Sequence, residues 1–403
     1  MMFQINHNKK SPFLKNLQKK KSLETVPRIC LLLFLISCSH TTPYYQSEEL
    51  KPTRLSIPNE NIETRILLIG DAGAPRIEGE PVLITLEKWA SPIPYKTTVF
   101  FLGDNLYPEG LPDSSDSWRP EGERRLLAQL DALKNSGARG VFIPGNHDWA
   151  KGKPYGPKNL KNQEKLIVQY LANEYSFLPK DGCPGPEFVD LNAVRVIIFD
   201  TQWWLNVENR SPAPCANVEE DSILSKLQHL IETTPSEKEV LVLAHHPLAS
   251  HGPHGGFFTW KDHIFPLTNL VDWLYFPLPI IGSLYPLGRW NLIKSNQDLN
   301  GPLYKNMISK LKNTFSSSPP LAYASGHDHT LQVLDGGDID MLFLVSGAGV
   351  EKKLNDVGHG DDTIFAHCHT GFMAIDFLKD GRALLRVIEP AEEEVVFYRW
   401  LVE

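Results

Sequence analysis

Five short apolar segments of this 403-residue chain each end in side chains that bind metal ions. They are ILLIG before Asp71, VFFLG before Asp104, VFIPG before Asn146-His147-Asp148, VLVLA before His245-His246, and LAYASG before His327-Asp328-His329. Each alone has an ordinary explanation, because Gly-Asp after a strand is a common turn and a His-X-His pair can be two solvated side chains. Together they supply two aspartates, an asparagine and three histidines, the oxygen and nitrogen donors of a metal centre. Tyr107, three residues after Asp104, has two readings. As a ligand it must be a phenolate, whose ordinary pKa near 10 demands a strongly Lewis-acidic ion. As a loop aromatic it packs against Pro108 and Pro112.

The donor-bearing segments are rich in β-branched and aromatic residues and read as buried strands. Helical patterns lie between several of them, notably from about Glu121 to Lys134 and from about Asn162 to Glu174. Strands alternating with helices indicate an α/β sheet, and such sheets gather ligands at the carboxyl ends of their strands. The five segments are therefore expected to meet along one edge. On a regular strand His245 and His246 point to opposite faces and do not serve one ion. Neither a phosphate-binding Gly-rich loop nor a Gly-X-Ser-X-Gly elbow competes for the assignment.

The set GDAG, GDNLY, GNHD, VLAHHP and GHDHTLQ, with SHGPH and SGAG, resembles the calcineurin-like metallophosphoesterases. Within them it is similar to the purple acid phosphatases of the short, tartrate-resistant type, in order from about Ile66 to Gly349. The resemblance implies a four-layer αββα sandwich and two metal positions bridged by Asp104. Asp71, Asp104, Tyr107 and His329 would hold Fe3+; Asp104, Asn146, His245 and His327 would hold a divalent ion, Fe2+, Zn2+ or Mn2+. Asn146, His147 and His246 would face the substrate, His147 stabilising phosphoryl oxygens with Asp148 orienting it, and His251 of SHGPH would be the general acid. The implied activity is hydrolysis of phosphate monoesters by metal-hydroxide attack at phosphorus, with an acid optimum. A phosphodiesterase or phospholipid-directed hydrolase using the same site is one alternative. A non-catalytic surface lipoprotein is another, disfavoured by the complete ligand set. Ala72 and Leu106 stand where the family commonly has aromatics.

The formal net charge is -8, but the first 37 residues hold seven of the Lys/Arg and one Glu. Beyond Ser37 there remain 33 basic and 47 acidic residues, net -14. So acidic a surface argues against a nucleic-acid partner, and an anionic phosphate ester needs a local cation. The basic start, the run ICLLLFLIS and Cys38 read as a lipoprotein-type signal over 1–37, with an ordinary secretory signal as the alternative. The run is too short to span a bilayer, which takes about 20 residues. A lipid on Cys38 would anchor the protein to a bacterial cell envelope, at the outer membrane or its periplasmic face. Residues 38–62 are expected to be a flexible tether and 63–403 a monomeric catalytic domain. Around 264–317 lies an apolar insertion, either a flap or membrane patch or a segment folded onto the domain's own core. Cys183 and Cys215 form a disulfide or remain free thiols. His367 and His369 are expected to be structural, and Trp203-Trp204 to line the cleft mouth or fill the core.

Overall fold

The computed structural model describes residues 42–52, 57–210, 214–269, 274–390 and 394–403; the signal-like segment 1–37 and Cys38 lie outside the described residues. The apolar segments are strands covered on both faces, which is why they lack polar alternation. In β2 (Ile62–Ile69), Ile66 and Leu68 enter a core shared by two sheets, while Leu67 and Ile69 pack among helices. In β3 (Thr97–Phe101), Phe100 points inward and Val99 and Phe101 outward.

With β4 (Arg139–Phe142), β12 (Phe372–Leu378), β13 (Ala383–Ile388) and β14 (Val395–Val402), these strands form a sheet of order β14-β13-β12-β2-β3-β4. Its β2, β3 and β4 run parallel, with Leu68 opposite Phe100. The second sheet comprises β1 (Tyr44–Tyr45), β5 (Glu187–Asp190), β6 (Val194–Ile198), β7 (Glu239–Leu243), β8 (Ala322–Ser325), β9 (Leu331–Asp335), β10 (Leu342–Ser346) and β11 (Thr363–His367). Its order is β1-β11-β9-β10-β8-β7-β6-β5, with β6, β7, β8 and β10 parallel. Helices α1 (Pro81–Ala90), α2 (Arg119–Ser136), α3 (Gly156–Leu171), α4 (Glu220–Glu232) and α5 (Pro302–Ser317) complete the layers. The result is the expected sandwich of two sheets flanked by helices.

The structure adds detail at three places. The segment read as a tether docks where it is described: Tyr44–Tyr45 adds a strand to β11, Tyr44 stacks on His359 at 4.0 Å, and the Tyr45 hydroxyl donates to the Val396 carbonyl at 2.8 Å. Two adjacent aromatics offer the buried area that a polar linker lacks. The insertion is narrower than 264–317, because α5 buries Tyr304, Met307, Leu311 and Phe315 at helical spacing and is a core helix. What remains packs on itself, with the Leu278 N–H donating to the Ile264 carbonyl at 2.7 Å, and leaves Ile280 89% and Leu292 84% exposed. Cys183 and Cys215 are bonded, with Cα atoms 5.5 Å apart.

A buried ion cluster ties three strands of the six-stranded sheet. Arg65 on β2 donates to both Asp376 oxygens on β12 at 2.7 and 3.0 Å, and Arg386 on β13 joins the same carboxylate. All three are nearly inaccessible, and Trp89 of α1 lies 5.3 Å from the Arg65 guanidinium. Removing the only anion of this set strands two cations out of water. Asp376→Ala is expected to lower unfolding free energy by about 3–5 kcal/mol in urea titration.

Candidate metal centre

Because β2, β3 and β4 are parallel neighbours, Asp71, Asp104 and Asn146 leave one edge of the six-stranded sheet together. Because β7 and β8 are parallel neighbours, His245 and His327 leave the corresponding edge of the other sheet. The single edge expected from the sequence is thus two edges, joined across the sandwich by the His327 N–H donating to Asp71 Oδ2 at 2.8 Å. Asp71, Asp104 and His327 all adopt left-handed backbone, with φ of 60, 52 and 67°, costly for residues with a Cβ and typical of functional turns. The preceding turns leave no room for side chains. A Cβ on Gly145 would lie 2.3 Å from the Asp104 nitrogen, and one on Gly103 2.5 Å from His245 Nδ1.

One donor group is formed by Asp71, Asp104 and His329, whose ligand atoms lie within 4.8 Å of one another. Tyr107 belongs to it geometrically. Its ring is buried, and its hydroxyl donates to Asp71 Oδ1 at 3.0 Å and sits 3.0 Å from His329 Nε2. The alternative in which this residue is a loop aromatic does not account for that aim. Burial, then the charges of Asp71 and Asp104, push the phenol well above its usual range. Burial, then Asp71 and Asp148, raise the Asp104 carboxyl in the same direction. Anionic groups crowded in a dry space fit a cation between them.

The second group surrounds Asn146. Its Oδ1 lies 3.0 Å from His245 Nε2 and 3.1 Å from His327 Nδ1, and those nitrogens are 3.3 Å apart. The far nitrogens fix the tautomers: His245 Nδ1–H donates to the Leu102 carbonyl at 2.8 Å, and His327 Nε2–H to the Gln297 carbonyl at 2.8 Å. Lone pairs therefore face inward, the arrangement a metal-binding imidazole requires. Burial lowers the pKa of both rings and keeps them neutral. Asp104 Oδ1 lies 3.5 Å from His245 Nε2, so this carboxylate touches both groups.

His246 departs from expectation. Strand β7 ends at Leu243, so the alternation of faces no longer applies, and His246 stands with His245 and His327 in one cluster of possible ligands. Its nitrogens already have partners, Thr201 Oγ1 at 2.8 Å and Gln297 Oε1 at 3.0 Å. Gln297 thus touches two histidines of the site, and nothing in its sequence surroundings marked it.

His147 lies against the first group, its ring 4.4 Å from that of Tyr107 and Nε2 3.8 Å from Asp104 Oδ2. Its Nδ1 pairs with the Pro108 carbonyl at 2.7 Å, and not with Asp148. Asp148 instead accepts from the backbone of Gly145, Leu106 and Asn105 and from Gln163, locking the two ligand turns together. A fully buried carboxylate is consumed by the backbone donors around it. His251 pairs with Asp362 at 2.6 Å, while His254, four residues from Ser250, has its ring 4.1 Å from His327 and Nδ1 2.9 Å from Asp298. The SHGPH segment carried the signal for both, but not which one faces the site. Ala72, Leu106, Trp203 and Trp204 are core residues. His367 and His369 stack at 5.4 Å and share Glu389, a carboxylate that their local sequence does not contain.

Residues 64–276 match the family of calcineurin-like phosphoesterases. No curated protein sequence matches this one. Among solved structures, the chain is similar to GAP50, the anchor in the inner membrane complex of Plasmodium, at 15% identity and TM-score 0.55, covering 85% of this chain and 89% of that one. It is also similar to the purple acid phosphatase PPD1 from yellow lupin (Lupinus luteus) seeds, at 14% identity and TM-score 0.51, over 84% of this chain and 53% of the lupin one. Both likenesses concern the fold. With more than half its length matched and its metal-type donors gathered at the strand ends, the chain belongs to the calcineurin-like phosphoesterases and is a metal-dependent phosphoesterase.

Proposed function

We propose that the protein hydrolyses phosphate monoesters at a paired-metal centre of the purple acid phosphatase kind, short type, with an acid optimum. The observation that carries this is Tyr107, whose hydroxyl is buried 3.0 Å from both Asp71 Oδ1 and His329 Nε2. Burial and two carboxylates oppose its ionisation, so a phenolate here calls for a cation as Lewis-acidic as Fe3+. In this proposal Asp71, Asp104, Tyr107 and His329 hold Fe3+, and Asp104, Asn146, His245 and His327 hold Fe2+, Zn2+ or Mn2+. Bound ions of this kind supply a nucleophile near neutral pH and neutralise charge on the phosphate.

The chain's own residues do the rest. Neutral His245 and His327 keep their lone pairs available to a metal well into the acid range, because their depressed pKa values delay proton competition. His147 is held neutral by burial and by Lys151, and a bound phosphate dianion would favour its protonation and hence hydrogen-bond donation. His254, oriented by Asp298, and His251, paired with Asp362, are the two candidate proton donors to the leaving group. His254 is the one that lies against a ligand. A phosphodiesterase or phospholipid-directed activity is the second reading, favoured by the exposed apolar segment beside Gln297. Turnover of phenyl phosphate against bis-phenyl phosphate separates the two.

Iron-loaded protein is expected to show a visible phenolate-to-ferric band that Tyr107→Phe abolishes while iron is retained. Full iron occupancy without the band overturns the tyrosine assignment. Asp104→Asn should lose both ions by metal analysis and lower kcat/KM by more than about a hundredfold, the upper end of what replacing a group behind a ligand costs. Gly145→Ala forces the Asp104 backbone to move and should cost about 1–3 kcal/mol in stability together with metal affinity, measured by calorimetric titration. Chelation should lower unfolding free energy by about 2.7 kcal/mol where free metal had stood at a hundred times Kd. Metal content should persist on acidification below the ordinary histidine value of about 6.5.

A further inference from the structure

We propose that the self-packed segment around residues 274–294 is a docking surface for an anionic lipid bilayer. Ile280, Ile281, Leu284, Leu287, Leu292 and Ile293 are all exposed on it. Scattered exposed apolar residues need no explanation, but these six aliphatics fall within 14 residues, and a contiguous exposed apolar patch marks an interaction site. Trp260, Tyr275 and Phe276 are also exposed, and Trp and Tyr are the side chains enriched where bilayer meets water.

Charge identifies the occupant. From Leu274 to Gln297 the sequence has no acidic residue; its Arg289 is neutralised by Asp298, and the exposed charge is that of Lys294, joined by Lys305 of α5. Beside Leu292 and Ile293 opens a cleft of about 450 Å³ lined by Trp290, Asn291, Lys294, Asn300 and Lys305. Two ammonium groups next to protruding aliphatics suit a lipid phosphate lying over acyl chains. A second copy meeting this face on itself would oppose lysine to lysine, the wrong sign for a self-complementary contact. Attachment of a lipid at Cys38, proposed from the sequence, would bring the chain to the same surface. The segment is also rooted at the metal centre: Arg289 binds Asp298, the partner of His254, and Gln297 holds His246 and His327. Docking would therefore set the rim of the site against the bilayer.

The test uses the full chain carrying Cys38→Ser, so that no attached lipid contributes. It is floated with phosphatidylcholine vesicles, with and without phosphatidylglycerol. Binding is expected, and Ile280→Ser/Ile281→Ser/Leu292→Ser/Ile293→Ser should weaken it at least about tenfold on both vesicle types. Lys294→Gln/Lys305→Gln should remove the preference for phosphatidylglycerol, about fivefold per lysine, leaving binding to phosphatidylcholine. Thermal melts of both variants check that the fold survives, and the lysine variant stands if the aliphatic one does not fold. Absence of vesicle binding, or binding unchanged in the variants, overturns the proposal. So does a dimer in light scattering that the aliphatic variant dissolves.

Discussion

Two aspartates, Asp71 and Asp104, are buried close together, each left-handed at the end of neighbouring parallel strands. Like charges that are desolvated and close together are unstable without a cation, and this requirement organises everything around them. Tyr107 and His329 converge on Asp71, while Asp104 reaches across to His245. That crowding shows in the Asp104 carboxyl and the Tyr107 phenol, both pushed up first by burial and then by neighbouring carboxylates. A metal would relieve it, with the lone pairs of His245 and His327 already turned inward.

The backbone is shaped for that end. Gly103 and Gly145 let chain segments approach ligand atoms more closely than any side chain would permit. Asp148 ties the turn after β3 to the turn after β4, so two ligands from different strands keep one geometry. The Leu102 and Gln297 carbonyls hold the histidine rings in single tautomers. Such outer contacts commonly matter almost as much as the ligands themselves.

The cations proposed for the centre, and Lys294 and Lys305 beside the apolar segment, would offset the acidic balance that otherwise repels a phosphate ester. The two places are connected through Gln297 and Asp298, which contact site histidines from the root of that segment. If the segment docks on a bilayer as proposed, substrate access and surface attachment would be governed by neighbouring parts of one structure. The N-terminal strand Tyr44–Tyr45 shows a related economy, since a stretch that looked like linker extends the eight-stranded sheet.

The strands and the donors at their ends were legible in the sequence because burial on both faces leaves an unbroken apolar segment and the chemistry of Asp, Asn and His is local. Periodicity made α2 legible to within two residues at each end, whereas α3 begins six residues before the expected Asn162 and ends three before Glu174. Which sheet each strand joins was not, since β2–β4 and β7–β8 look alike and their separation depends on long-range pairing. Nor could the sequence, which pointed to His251, place His254 against His327, see that His246 turns back beside His245 once the strand has ended, or single out Gln297 from the amides Asn291, Asn296 and Asn300 around it. Asp148 was misassigned to His147 because adjacency in the chain suggested contact, whereas its buried oxygens are taken by backbone N–H groups of two turns. Residue type determines what a site is able to do; only tertiary packing decides which lone pairs and protons face one another, because that depends on distances between segments hundreds of residues apart.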